Sequence, residues 1–516
     1  MPTPFELTRD GFCDIEPPAV VRLTASVDAP KPLEAYSALR TDHSFLLESA
    51  DTDVSALRQV GDNGGGGDGR ARYSFVGFAP DAVFRSNARR VSVERLREDA
   101  TVVGLGAVED GRIVDGADTL DALRSFFPDA RTVNFDDGDR QVFEGGLVGF
   151  LAYDAVGDLW LDEPLETPTD DAVFVLSTRN LVYDHNKDDA RLVFTPVLTG
   201  EDDAGGIYDS AVSDAREAME TLDAHEERRT GGFEILDDDA DDRGAYEEAV
   251  GRGREHVYDG DVYQVVLSRK KRYRVRGDAC DFYARLRDIN PSPYMYLVEF
   301  DGFGVVGSSP ETLVSIHDDR VTTNPIAGTC PRGETPVEDR RLAGEMLSDE
   351  KELAEHVMLV DLGRNDVRRV GEGGTVEVDD FMSVVQYSHV QHIESTVSAR
   401  LRDGFDSFDA TRAVFPAGTL SGAPKIRAME IIEELEREPR GVYGGGVGYF
   451  SWNGDSDFAI TIRTATFDGN GDGISDVEVQ AGAGIVADSV PESEYDETED
   501  KMNALVTALE TLEDGT

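Results

Sequence analysis

Up to residue 199 the apolar positions come in short runs bounded by turn-forming clusters, such as YSFVGF at 73–78, GLVGFL at 146–151 and AVFVL at 172–176. Runs of this length, rich in valine and phenylalanine and flanked by glycine, aspartate and proline, predict strands. This half reads as sheet-rich. Inside it, GDNGGGGDG at 61–69 has the composition of a surface loop. Residues 200–243 change to acidic, helix-friendly and loop-like composition, and the LDDDADDRG stretch at 236–244 predicts a connecting segment. Beyond it, the pattern predicts a helix over 243–259 and a strand from Val262. Helical and strand periods then alternate to the C-terminus, so 244–516 forms the larger unit. Near its end Pro491, followed by the stripe Met502, Leu505, Val506 and Leu509, predicts a helix opening at the proline.

Charge changes this picture more than size does. The 516 residues carry 104 acidic and 50 basic side chains, a formal charge of −54, with 40% hydrophobic residues. That apolar content argues against a disordered acidic chain. The charge would repel nucleic acid and anionic membranes, so neither is expected as a partner. Lysine is nearly absent: only Lys31, Lys187, Lys270, Lys271, Lys351, Lys425 and Lys501 occur, and the other basic residues are arginine. An acidic, lysine-poor, folding sequence suits a halophilic cytoplasm, where molar salt screens the self-repulsion. Cys13, Cys280 and Cys330 are widely spaced and suggest neither a disulfide framework nor a zinc site. No signal peptide or run of eighteen apolar residues is read, and a cytoplasmic location is expected.

Two pairs of glutamates at helical spacing offer chemistry, Glu352 with Glu355 and Glu494 with Glu497. Spacing of three puts each pair on one helix face. In so acidic a chain such pairs also arise by chance as solvated faces; if they converge, all-oxygen ligands favour Mg²⁺. The small residues Gly482, Ala483 and Gly484 can expose backbone N–H groups to a carboxylate or simply allow close strand packing. Arg463 lies in an apolar strand pattern, where a buried charge needs an anion, from a ligand or from the chain itself. Glu311 ends the strand pattern of GVVGSSPE and is a candidate general acid, or an ordinary surface glutamate.

Taken in order, DVYQVVLSR, GSSPE, PIAGT, DEKELAEHVMLVDLGRND, FPAGTLSGAPKIRAME, YGGGVGYF, IRTA and QAGAGIVADSVPESEYDET resemble the chorismate-utilising enzymes, most closely anthranilate synthase component I. The match runs from about Asp261 to Asn503; in the N-terminal half it rests chiefly on the LLES run ending at Ser49. The resemblance implies an α+β fold of two lobes, with a β-sandwich core flanked by helices. It implies three regions: 1–199, regulatory, with part of a tryptophan pocket; 200–243, connecting; and 244–516, catalytic and chorismate-binding. It implies Mg²⁺ ligated by Glu355 and Glu497, with Glu352 and Glu494 in its water shell. Gly328, Thr329, Thr419, Tyr443, Arg463, Gly482, Ala483, Gly484 and Lys501 would bind chorismate.

In that chemistry ammonia adds at ring C2 as the C4 hydroxyl leaves, with Glu311 as the implied acid, and His392 takes part in the later proton removal. His389 and His356 compete with His392 for that role. Gln264 stands where water-adding relatives carry a lysine, and a neutral amide cannot act as a base. Ala327 stands where many aminodeoxychorismate synthases, the nearest rival reading, carry an attacking lysine. None of the cysteines sits in a glycine-flanked nucleophile elbow, so a glutamine amidotransferase subunit, component II, is the implied ammonia source within a heterotetramer. Ser49, Pro293, Tyr294 and Met295 are the implied contacts of L-tryptophan as feedback inhibitor.

The charge reading has a direct test. Lowering salt from the molar range to tens of millimolar is expected to lower the melting temperature or unfold the protein, as followed by circular dichroism. An unchanged melting temperature and full activity at low salt would contradict it.

Overall fold

The computed structural model describes all residues except 1–2, 50–71, 99–105, 136–140, 162–163, 166, 201–202, 227–230, 241, 387–389, 470, 472 and 515–516. The glycine-rich stretch 61–69 and His389 therefore lie outside the described residues. The strand Ala172–Ser177 shows how the sequence makes layers. Alternate side chains of a strand face opposite sides. Ala172, Phe174 and Leu176 join a core shared with Phe408 and Val414, while Val173 and Val175 join another that holds Phe45, Tyr296 and Val298. Burial on both faces is why this strand reads as an unbroken apolar run. The neighbouring strand Gly146–Leu151 divides in the same way, with Leu147 and Leu151 on one side and Val148 and Phe150 on the other. Its central Gly149 permits the pairing: a Cβ there would lie 1.9 Å from the Val173 carbonyl oxygen.

Among the described residues the strands form two large sheets, of 13 and 12 strands, and a small one of three. The large sheets face each other across the core that contains Phe45, Val148, Val298 and Tyr449. Helix Ser407–Val414 covers the outer face of the first, while Lys425–Leu435 packs on the strand Gln264–Arg276 of the second. Helices Ala204–Asp223, Ala279–Ile289 and Pro491–Asp514 cover the outer face of the second. The resulting order of helix, sheet, sheet, helix is an α+β architecture with a sandwich centre. Each fully buried large apolar side chain in it contributes about 1.5–3 kcal/mol.

Strands from the two halves of the sequence are neighbours within each large sheet. Gly146–Leu151 pairs with Gly446–Ser451, and His43–Glu48 pairs with Tyr294–Phe300, in both cases antiparallel. The regions 1–199 and 244–516 thus share hydrogen-bonded sheets. The acidic segment between them is more than a connection, because it supplies the helix Ala204–Asp223 and the strand Glu234–Ala240. That strand pairs with the basic half of Gln264–Arg276, setting Asp239 opposite Arg272 and Glu234 opposite Arg276, with an ion pair between the last two. Opposite charges across a strand pair offset its polar composition.

The helix Arg243–Asp259 has the predicted span. Asp242 caps it by accepting the Gly244 N–H at 2.9 Å, and Gly260, at φ 82°, ends it in the left-handed conformation that glycine adopts without strain. Among the described residues no helix is long and apolar enough to cross a membrane.

Candidate active site

The long strand Gln264–Arg276 pairs along its whole length with Ile474–Ile485, placing Gly482 opposite Ser268 and Gly484 opposite Val266. The small residues are needed there because side chains cross the strand. A Cβ on Gly484 would stand 2.1 Å from Gln264 Nε2, and one on Gly482 would stand 2.9 Å from the Tyr443 hydroxyl. The Gly482 N–H donates to that hydroxyl, and the Gly482 carbonyl accepts from Lys501 Nζ at 2.9 Å. Close packing and polar contacts therefore both explain this segment.

Two helices begin beside this strand. Glu350–Val370 is capped by Asp349, which accepts the N–H groups of Lys351 and Glu352, and it carries Glu352 and Glu355 in its opening turns. Pro491–Asp514 carries Glu494, Glu497 and Lys501 at intervals of three and four, hence on one face. Glu355 accepts from Gln264 Nε2 at 2.8 Å, and Glu497 pairs with Lys501 at 2.7 Å. The Gln264 carbonyl oxygen is buried and unpartnered. Burial and the charges of Glu355, Asp349 and Glu497 raise the Glu352 carboxyl, and burial with the Glu497 charge raises Glu494. The two pairs therefore face one another electrostatically across the helix N-termini, whose dipoles favour negative charge. Such a crowded set of hard oxygen donors, one of them tied to an amide and another to a lysine, fits a magnesium-type cation. Among the described residues, no three of these carboxylates bring oxygens within 4.8 Å of one another. Among the described residues, three ligand atoms lie within 4.8 Å of one another only at His317, Asp318 and Asp455, where Asp455 already accepts from His317 and Asn453.

The strand Ile326–Pro331 forms another wall. Its pairing with Val390–Arg400 shifts register between Ala327 and Thr329, and Gly328 takes up the bulge at φ 67°. A Cβ there would come within 3.4 Å of Glu352 Oε2, so the bulge lies against the glutamates. His392 Nδ1 lies 2.9 Å from Thr329 Oγ1 and 3.2 Å from the Gly328 carbonyl. A carbonyl only accepts, so Nδ1 carries the hydrogen and the lone pair is left on Nε2. Burial pushes the imidazole down to about 4, so it is neutral at physiological pH. His356, the competing histidine, instead bonds Ser395 Oγ at 2.6 Å in the interior.

Glu311 follows the strand Phe303–Ser309 and is buried. Thr419 Oγ1 donates to its Oε1 at 2.9 Å, while Glu394 and Lys501 act on it from neighbouring elements. Burial dominates and pushes the carboxyl up to about 8, so Glu311 holds a proton at neutral pH. Arg463 sits in the turn before Thr464–Gly469 with φ 52°, a strained value for a residue with a side chain. Among the described residues no carboxylate pairs with it; its guanidinium has only a marginal 3.5 Å contact with the Lys501 carbonyl. Burial lowers its pKa, with Tyr443 opposing, and its charge in turn depresses His392. Of the two partners open from sequence, the chain's own carboxylate is not there, which leaves the guanidinium for an incoming anion.

Glu311, His392, Gln264, Tyr443, Arg463, Gly482, Lys501 and the glutamate pairs thus touch or act electrostatically on one another, with Gly328, Thr329, Thr419, Ala483 and Gly484 in the same walls. Sequence reading missed Arg440, Glu436 and Ser268, which lie behind these walls. Nothing local in the EPRGVY run marks the burial of its arginine.

Ser49, Pro293, Tyr294 and Met295 lie apart from this cleft, around a cavity of about 70 Å³ between the sheets that also meets Tyr449 and Asp457. Ser49 Oγ is buried there and unpartnered, and Tyr294 donates to Asp457 at 2.9 Å. Tyr294 is opposite Ser309 in the strand pair that leads to Glu311, so two residues separate the cavity wall from the acid.

The chorismate binding enzyme family matches residues 70–507 of this chain. The anthranilate synthase component 1 of Haloferax volcanii is 54% identical over 512 residues, covering 98% of this chain and 96% of that protein. A component 1 of Haloarcula marismortui is 53% identical over 98% of this chain and 96% of its own length. The crystal structure of anthranilate synthase component I from Streptococcus pneumoniae superposes with a TM-score of 0.69 at 33% identity, over 88% of this chain and 98% of that one.

The proton on Glu311 gives the testable consequence. The carboxyl infrared band that Glu311→Gln removes is expected to titrate near pH 8, present below and lost above, and Thr419→Val is expected to raise that midpoint. A midpoint near that of an exposed glutamate would contradict the assignment.

Proposed function

The chain belongs to the chorismate binding enzyme family, on its anthranilate synthase component 1 branch, and from that premise we propose that it converts chorismate and ammonia to anthranilate and pyruvate. The observation that carries the mechanism is Glu311, a buried carboxyl that keeps its proton at neutral pH although the Lys501 cation acts on it. Arg463 and Lys501 hold the carboxylates of chorismate, and the backbone at 482–484, Gly328, Thr329 and Tyr443 line its pocket. Ammonia adds at ring C2, the ring double bond moves, and the C4 hydroxyl leaves as water by taking the Glu311 proton. His392 Nε2 then accepts the C2 proton of the aminated ring while the enolpyruvyl group departs as pyruvate, leaving an aromatic product.

Mg²⁺, when bound by Glu355 and Glu497 with Glu352 and Glu494 behind water, supplies positive charge that anchors a substrate carboxylate and offsets the repulsion among the four glutamates. Gln264 donates its amide to Glu355 and has no basic group with which to activate water, which favours ammonia as nucleophile. Ala327 offers no amine for covalent attack on the ring, which disfavours the aminodeoxychorismate alternative. Ammonia is supplied by a partner glutamine amidotransferase subunit in a cytoplasmic complex, because none of the three cysteines stands in a nucleophile elbow.

Purified chain given chorismate, ammonium and Mg²⁺ in molar salt is expected to accumulate fluorescent anthranilate. Glu311→Gln is expected to slow it by on the order of 10²–10⁴-fold, and Glu355→Gln or Glu497→Gln to remove the response to Mg²⁺. Glutamine is expected to replace ammonium only when the partner subunit is added. Isochorismate or aminodeoxychorismate as the end product would overturn the reading.

The cavity between the sheets is read as the L-tryptophan site, supported by the unpartnered Ser49 hydroxyl and its apolar and aromatic lining. Tryptophan is expected to inhibit, and Ser49→Phe, which fills the cavity, to raise the concentration required by at least about tenfold. Absence of inhibition at saturating tryptophan would remove the claim.

A further inference from the structure

Arg440 is a fully buried side chain, only 1% exposed, and it lies behind the site without reaching the cleft. Its guanidinium spends its N–H groups on three chain segments. Nη1 donates to the Leu420 carbonyl at 2.7 Å, Nη2 donates to the Val266 carbonyl at 2.8 Å, and Nε and Nη2 both donate to Glu436, at 3.0 and 2.7 Å. The plane lies 4.4 Å from the Tyr153 ring centroid. Asp154 fixes the arginine's own backbone by accepting the N–H groups of Arg440 and Gly441 at 3.1 and 2.8 Å. Burial works against the charge, but Glu436 together with Tyr153 and Tyr443 outweighs it and keeps the guanidinium protonated.

Each carbonyl that Arg440 grips stands beside a working residue. Leu420 follows Thr419, the donor to Glu311, in the single-turn helix Gly418–Ser421. The last carbonyls of a helix have no partner within it, and among the described residues Arg440 is the donor that satisfies this one. Val266 lies two residues beyond Gln264, the donor to Glu355, on the same strand. Tyr443 follows Arg440 by three residues, with its ring 5.8 Å from the guanidinium. Glu436, in turn, accepts the N–H and the hydroxyl of Ser268 at 2.8 and 2.9 Å, on the same strand as Gln264. A planar fork that reads two carbonyls at once sets the separation between the segments that bear them.

We propose that Arg440 is a positioning residue for the reaction: by holding the Leu420 and Val266 carbonyls in one fork, it sets Thr419 against Glu311 and Gln264 against Glu355. The proposal rests on the reading of Glu311 as the acid. The groups that face Glu311 are Thr419 from the short helix, Glu394 from the strand Val390–Arg400 and Lys501 from the C-terminal helix, and Arg440 reaches it only through the first of these.

The test uses the full-length chain in molar salt and reads the Glu311 infrared carboxyl band in wild type, Thr419→Val, Arg440→Lys and the double variant. Losing the Thr419 hydroxyl removes a donor to the ionised form, so the midpoint in Thr419→Val is expected to rise by at least about half a pH unit. Arg440→Lys keeps the charge but not the fork, and is expected to raise the midpoint in the same direction. In the double variant no further rise is expected, because both changes act on one hydrogen bond. An Arg440→Lys midpoint equal to the wild type, or shifts that add in the double variant, would overturn the proposal. If Arg440→Lys does not fold, Glu436→Gln loosens the same fork and is read identically: a raised midpoint supports the proposal and an unchanged one overturns it. This readout needs no substrate, so it fails or succeeds independently of anthranilate formation by the wild type, which decides the functional reading itself.

Discussion

Repulsion among four glutamates is the constraint around which this site is arranged. Glu352 and Glu355 begin one helix, Glu494 and Glu497 begin another, and the Glu497 charge reaches across to Glu352 as well as to its own neighbour Glu494. The helix N-termini, the Gln264 amide and Lys501 stabilise that negative charge without cancelling it. What remains is a concentration of negative charge whose oxygen chemistry suits a hard cation. The other walls differ, with an arginine that lacks a protein partner and a carboxyl that burial keeps protonated. Negative charge is concentrated where a cation belongs and withheld at Glu311, where an acid is needed.

The same sheets connect this cleft to the second cavity. Strand Tyr294–Phe300 lines the cavity and pairs with Phe303–Ser309, which delivers Glu311. Strand Gly446–Ser451 also lines it, and begins three residues after Tyr443. Both strands pair in addition with strands from the first 199 residues, so the cavity is built from both halves of the chain. An occupant of the cavity therefore presses on backbone that continues directly into the cleft. Arg440 adds a third tie, since Asp154, just beyond the strand Gly146–Leu151, holds its backbone in place.

Much of this was legible in the residues, for reasons that differ by element. The helix Arg243–Asp259 announces itself by its Asp242 cap and its terminal Gly260, and the interior strands by unbroken apolar runs. The strand Glu234–Ala240 reads as acidic linker because its stabilisation comes from arginines on a partner strand some 35 positions away, which local pattern cannot contain. Glu352 and Glu355 were indistinguishable by spacing from a solvated face; only the Glu497 charge acting on Glu352 and the Gln264 amide on Glu355, both from distant segments, set them apart. The acid role of Glu311 came from resemblance, whereas its burial and its Thr419 donor are tertiary facts. Arg440 stayed silent because, Glu436 apart, its guanidinium donates to backbone carbonyls, which carry no sequence signature.

The central claim is that a protonated Glu311 supplies the proton for the departing hydroxyl, and the pH dependence of kcat for anthranilate formation tests it most directly. At constant free ammonia and saturating Mg²⁺, one ionisation near pH 8 should govern an alkaline fall in kcat, because the acid is present below that pH and lost above it. A rate that stays level or rises through that range would contradict the account.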